Sequence, residues 1–123
     1  MSPTLLVVQH VDHEDAALVG ELARQRGLTL EILRPDRGEP LPDPRACVNS
    51  IALVLGGPMS VNDRDQPGMD WLLQELDWLR AWHQQRRPVL GICLGAQLLA
   101  VAAGGSVQPL EVGAPPQQLK ELG

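Results

Sequence analysis

The run SIALVLGG at residues 50–57 is apolar from Ile51 onward on both sides of any strand it forms. A strand with one wet face alternates apolar and polar residues, so this one needs cover above and below, as in a parallel sheet sandwiched between helices. It ends in GGPMS, a sharp turn.

TLLVVQ (4–9) is β-rich and bounded by Pro3, and predicts a first strand. HVDHEDAALVGELARQRG then predicts a helix with Asp12 as N-cap, acids in the first turn, arginines in the last and Gly27 as its stop. LTLEIL (28–33) predicts a second strand. Residues 35–50 hold four prolines and read as a surface loop crossing to the far side of the sheet. From about Met69 to Gln85, Leu72, Leu76 and Leu79 recur at helical spacing with Leu73 and Trp82 beside them, so this helix buries one face. Trp71, Trp78 and Trp82 are read as core or rim packing, since Phe and Tyr are absent and the core otherwise rests on Leu, Val, Ile and Ala. Pro88 opens the short strand VLGI, and residues 94–103 predict a last helix stopped by Gly104-Gly105.

The order β-α-β-loop-β-α-β-α predicts an α/β fold: a doubly wound, mostly parallel sheet with helices on both faces. At 123 residues the chain has room for one domain. The tail after Gly105 has space for one more short strand. A net charge of −5, with no basic cluster beyond Arg86-Arg87, argues against a nucleic-acid surface. The N-terminus has too short an apolar run for a signal peptide or a membrane span, so no membrane association and a cytoplasmic location are expected. Two cysteines, Cys47 and Cys93, make no disulfide framework, and no Cys/His spacing suits zinc. Asp63, Asp65 and Asp70 lack the glycine and terminal glutamate of a calcium loop and are read as loop and helix-start charges. No metal and no cofactor is expected.

The chemistry concentrates in PVLGICLGAQLLA (88–100), where a strand runs into Cys93 between two glycines and leaves as an apolar helix. A G-x-C-x-G on a strand-to-helix turn lets strand and helix approach closely while a nucleophile projects from a constrained backbone. A small buried cysteine in a corner satisfies the same five residues, and both readings stand on this motif alone. Ligands of an open parallel sheet bind at the C-terminal strand ends. Three such ends here carry unusual residues: Gln9-His10, Gly56-Gly57-Pro58 and Cys93. The double glycine leaves a backbone N–H uncovered, which suits one donor of an oxyanion hole, with the N–H of Leu94 as the other.

LVLGGPMSVND followed by PVLGICLGAQLLAVAAGG resembles the class I, cysteine-nucleophile glutamine amidotransferase family, in particular its GMP-synthase-like glutaminase members. The resemblance runs from the first strand through KELG. It implies a flavodoxin-like sheet, L-glutamine as substrate, and Cys93 as the nucleophile that forms a γ-glutamyl thioester and releases ammonia. It further implies Gly57 and Leu94 N–H groups as the oxyanion hole and Gln97, one turn past the nucleophile, as a ligand for glutamine. Ala96 stands where many members carry a larger residue, often His.

In that family the general base is a histidine in a later H-x-E motif, and this sequence has no histidine after His83. Residues 1–123 are therefore expected to form an incomplete domain, poorly active alone, with an open sheet edge or an exposed apolar face beside the nucleophile strand. A synthase that accepts the ammonia, or a homo-oligomer, is the expected partner. His10 is a pocket-lining candidate; His13 and His83 are expected to be solvated. Two rival readings are a cysteine hydrolase or chaperone of the PfpI-like superfamily, and a non-catalytic half-domain that docks a partner. The first needs an acidic residue near strand one, where Gln9-His10 stands instead.

Overall fold

The structure, a computed structural model, describes residues 3–108. Four parallel strands form one sheet: β1 (Thr4–Val8), β2 (Thr29–Leu33), β3 (Ser50–Val54) and β4 (Val89–Gly91), in the order β2-β1-β3-β4. Helix α1 (Ala17–Gln25) lies on one face, and α2 (Asp70–Gln84) and α3 (Leu94–Ala102) lie on the other. This is the doubly wound α/β arrangement expected from the strand–helix alternation. The tail strand suggested after Gly105 falls largely outside the described residues.

Side chains on successive strand residues point to opposite faces, and that alternation splits the core in two. Leu6, Val8, Ala52 and Val54 pack with Leu72, Leu76, Leu79, Trp82, Leu94 and Leu98 beneath α2 and α3, whereas Leu5, Val7, Leu53 and Leu55 pack with Ala16 and Ala23 of the α1 side. Because β3 serves both clusters, its continuous apolar run has the cover it needed. Trp78 and Trp82 are buried with ring centroids 4.9 Å apart, and their indole N–H groups donate to the carbonyls of Pro42 and Pro88. Each tryptophan thus hides its ring and satisfies its one donor.

Helix α1 starts later than its sequence suggested. Asp12 is not its N-cap: its carboxylate accepts from Arg34 Nη1 at 2.7 Å and also from Arg37, two arginines that hold it below the usual carboxylate range. Asp15 takes over at the helix entrance, accepting from the N–H of Ala17 at 3.0 Å. A charged partner is a stronger acceptor-donor match than a first-turn amide, so Asp12 goes to the arginines. The stop is as expected: Gly27 has φ +84°, its N–H reaches Arg24 O, and Leu28 N–H reaches Ala23 O, a Schellman ending.

The proline-rich segment runs from β2 past β1 to β3 through two short 3-10 turns, Pro35–Arg37 and Pro44–Ala46, both packed on α2. Since β2 and β3 flank β1, the chain reverses direction across the sheet there, and the C-terminal ends of β1 and β3 frame the switch-point crevice.

The nine-residue α1 covers only part of its face. Ile51, Leu90 and Ile92 are 37%, 56% and 40% exposed, and with Val19 and Leu22 they give the exposed apolar surface expected beside the nucleophile strand. A groove of about 260 Å³ between α1 and β4 is lined by Leu5, Val19, Leu22, Leu28 and Leu90 among others. Leu90→Lys is expected to lower binding of a hydrophobic dye while shifting stability by no more than about 0.5 kcal/mol, since the side chain is already half in water. Dye fluorescence and urea denaturation, measured side by side, check both halves of that statement.

Candidate active site

Cys93 sits at the hinge between β4 and α3 with φ +53° and ψ −110°, a backbone conformation that a residue with a side chain rarely adopts. The flanking glycines explain how it is held. A Cβ on Gly91 would come within 2.5 Å of the Gly95 backbone, and one on Gly95 would come within 2.1 Å of Val54 O. Only bare backbone lets α3 approach the sheet this closely. The turn between them is therefore squeezed outward, and Cys93 is exposed, so it is not the buried corner cysteine.

The C-terminal ends of β1, β3 and β4 meet around it. A Cβ on Gly56 would lie 3.3 Å from Cys93 Cβ and 3.9 Å from its Sγ, so that glycine faces the sulfur side chain. A Cβ on Gly57 would lie 3.4 Å from a Leu94 methyl and 3.5 Å from His10 Cβ, so the Gly57 backbone packs beside both residues. Among the described residues neither the Gly57 nor the Leu94 N–H has an internal acceptor. Gln97 lies one turn along α3, its side-chain carbonyl held by the Val61 N–H at 3.1 Å and the Ser60 hydroxyl at 3.3 Å. Ser60 in turn caps the 3-10 turn Val61–Asp63 through a reciprocal capping box with Asp63, so the Gly-Gly-Pro loop grips the Gln97 carbonyl. That is the structural use of Asp63.

A hollow of about 280 Å³ opens beside Cys93, lined by His13, Glu14, Asp15, Ala17, Leu55, Gly56 and Ile92. Glu14 was not singled out in the sequence, where the end of β1 carries no carboxylate. The loop after β1 folds back over the strand ends and brings it here, with Oε2 buried and unpaired among the described residues. No hydrogen bond joins Cys93 Sγ to His10, His13 or His83.

His10 is the histidine at the strand edge, but its ring is buried and committed. Its Nδ1 lies 3.1 Å from Gly56 O, and its Nε2 lies 2.8 Å from both oxygens of Glu75 on α2. Trp71 packs over it with centroids 5.8 Å apart. Burial alone would lower the His10 pKa, yet the hydrogen bond and charge of Glu75, the Gly56 carbonyl and Asp36 outweigh it and the net direction is up. Burial pushes Glu75 up as well, more than His10 pulls it down. Both directions describe a pair that keeps its shared proton. Glu75 was the residue that sequence reasoning missed, although its spacing from Leu72 and Leu79 placed a carboxylate on the buried stripe of α2.

The glutamine amidotransferase class-I family model matches residues 15–121. The chain belongs to the class I glutamine amidotransferases. It is 34% identical over 121 residues to the putative glutamine amidotransferase-like protein YfeJ of Salmonella typhimurium, covering 94% of this chain and 50% of that one. It is 32% identical over 107 residues to a GMP synthase of Nitratiruptor sp., covering 87% of this chain and 19% of the synthase. It thus spans half or less of the length of these curated relatives.

Solved structures agree. A glutamine amidotransferase from Thermotoga maritima superimposes with a TM-score of 0.75 at 28% identity, over 85% of this chain and 44% of that one. One from Methylobacillus flagellatus gives 0.71 at 36% identity, over 85% and 39%. Family membership sets aside the PfpI-like rival despite the position of Glu14. No helix among the described residues is long and apolar enough to cross a membrane, and none of their His, Cys, Asp and Glu side chains cluster to hold a metal.

Proposed function

We propose that this chain is the nucleophile-bearing half of a glutaminase site: it binds L-glutamine at the strand ends and forms a γ-glutamyl thioester on Cys93. The observation that carries the reading is the exposed Cys93 at φ +53° between Gly91 and Gly95, beside two uncommitted backbone N–H groups. Sγ attacks the side-chain amide carbon, the carbonyl oxygen becomes an oxyanion, and Gly57 and Leu94 N–H groups receive it. Collapse breaks the C–N bond and expels ammonia, which takes the proton given up by the Cys93 thiol, and water then cleaves the thioester to glutamate and the free thiol. Gln97, its carbonyl anchored by Ser60 and Val61, turns its amide end to the bound glutamine. The ammonia passes to an acceptor on a synthase partner, a role that the likeness to glutamine-hydrolysing GMP synthases supports.

The test is covalent capture. A γ-diazoketone analogue of L-glutamine is expected to modify Cys93 with loss of N2, to be blocked by excess L-glutamine, and to spare Cys47 as an internal control. Peptide mass mapping reads all three, and Cys93→Ala removes the adduct. Equal labelling of both cysteines with no protection by glutamine would sink the reading. Steady ammonia release by this chain is a separate matter. With no histidine placed on Sγ, it is expected to match that of Cys93→Ala until a base is supplied. Cys93-dependent turnover by the purified monomer would contradict that expectation.

A further inference from the structure

The His10–Glu75 pair takes no part in the bond-making steps just described, but it touches the peptide that carries one of the candidate oxyanion donors. The carbonyl of Gly56 and the N–H of Gly57 belong to one peptide plane. In a trans peptide they point in opposite directions, and no cis peptide is present among the described residues. A carbonyl only accepts, so His10 Nδ1 carries a hydrogen and donates it to Gly56 O across 3.1 Å. Gripping the carbonyl fixes the plane, and the Gly57 N–H is turned to the side opposite His10.

Gly56 and Gly57 have no side chains to hold that plane themselves. We propose that His10, held by Glu75, is a positioning residue that sets the Gly56–Gly57 peptide and thereby aims the Gly57 donor of the oxyanion hole.

The pair suits that task because its protonation does not disturb it. As imidazolium and carboxylate, both ring N–H groups donate, one to each partner. As neutral imidazole and carboxylic acid, Glu75 donates to Nε2 while Nδ1–H still serves Gly56. Both forms preserve the grip. Loss of the shared proton leaves one hydrogen for two buried acceptors, Gly56 O and Glu75. Around the ring stand Trp71 of α2, which does not titrate, and Asp36 after β2, whose carboxylate is engaged by Arg34; Asp12, His13, Arg34 and Arg37 line a hollow with His10 and Asp36.

The proposal rests on the glutaminase reading for its chemistry, but not for its geometry, and the experiment keeps them apart. Glu75→Gln serves as background, because its amide donates to Nε2 and no buried charge is left stranded. In that background His10→Asn places an amide nitrogen where Nδ1 was and keeps the Gly56 bond. His10→Gln reaches only the Nε2 position and loses it.

Labelling of Cys93 by the γ-diazoketone analogue is expected to stay within ~3-fold for Asn and to slow by ~10-fold or more for Gln, on the scale of losing an oxyanion donor. Iodoacetamide, which needs no oxyanion hole, should label the two alike. The Gly57 amide order parameter should fall below ~0.6 in the Gln variant alone. Equal analogue labelling and equal Gly57 order in the two folded variants would overturn the proposal. So would the absence, in the unsubstituted protein, of scalar coupling between His10 Nδ1 and the Gly56 carbonyl carbon, a measurement that needs no variant to fold. A protein whose Cys93 ignores the analogue but takes iodoacetamide would refute the glutaminase reading, and Gly57 order would still decide the positioning role.

Discussion

Gly95→Ala is expected to destabilise the domain by at least ~3 kcal/mol, a large share of the ~5–15 kcal/mol that holds a domain of ordinary stability. The new Cβ would stand 2.1 Å from Val54 O, 2.8 Å from Val54 C and 3.0 Å from Val54 Cβ. These are atoms of β3, which is paired to β1 on one side and β4 on the other, so the strand has nowhere to go. The remaining relief is to lift α3 off the sheet, uncovering Leu94 and Leu98 and moving Cys93. Gly91→Ala meets the same obstacle from the strand side, since its Cβ would lie 2.5 Å from the carbonyl carbon and oxygen of Gly95. Urea denaturation reads the loss directly. A midpoint within error of the unsubstituted protein would mean that α3 does not sit this close to the sheet, and the strained turn at Cys93 would lose its explanation.

The second large effect is at the buried pair. Among the described residues, His10→Leu removes the only hydrogen-bonded partner of a fully buried carboxylate, and it is expected to cost ~3–5 kcal/mol. Adding Glu75→Met should recover much of that loss, because an apolar pair of similar volume strands no charge. If the double variant is no more stable than His10→Leu, the cost comes from packing under Trp71 and not from the carboxylate.

The pH dependence has a definite sign. His10 has its pKa raised by Glu75 above the reference of 6.5, so its contribution to stability is fully present below pH 6.5 and is lost as pH rises through the folded value. Glu75, also raised, acts in the same sense from its own reference of 4.5 upward. The melting temperature is therefore expected to decline as pH is raised above 6.5, and Glu75→Gln should flatten that decline. A melting temperature that rises over that range would contradict the assignment of a retained proton.

Several elements were legible in the sequence because their determinants are local. The apolar run of β3, the Leu72/Leu76/Leu79 spacing of α2 and the Gly27 stop of α1 each act within a few residues. The G-x-C-x-G turn was legible as a motif, but two readings of Cys93 remained until the close approach of Gly91 and Gly95 showed the thiol pushed outward. What was not legible involves partners far apart along the chain. Asp12 matched an N-cap by local rules, yet Arg34 and Arg37 are brought to it by the pairing of β1 with β2. Glu14 became a neighbour of Cys93 only through the path of the loop after β1.

Sequence by itself determined the layered α/β architecture, the family, and which residues stand at the strand ends, since patterning and turn chemistry are short-range properties of the chain. Tertiary structure alone decided what those residues are bonded to. His10 and Glu75 are 65 positions apart, and no local rule says that a histidine ending one strand will find a carboxylate on the far helix. That meeting follows from where β1 sits between β2 and β3, and from burial, which makes an unpartnered charge too costly to leave.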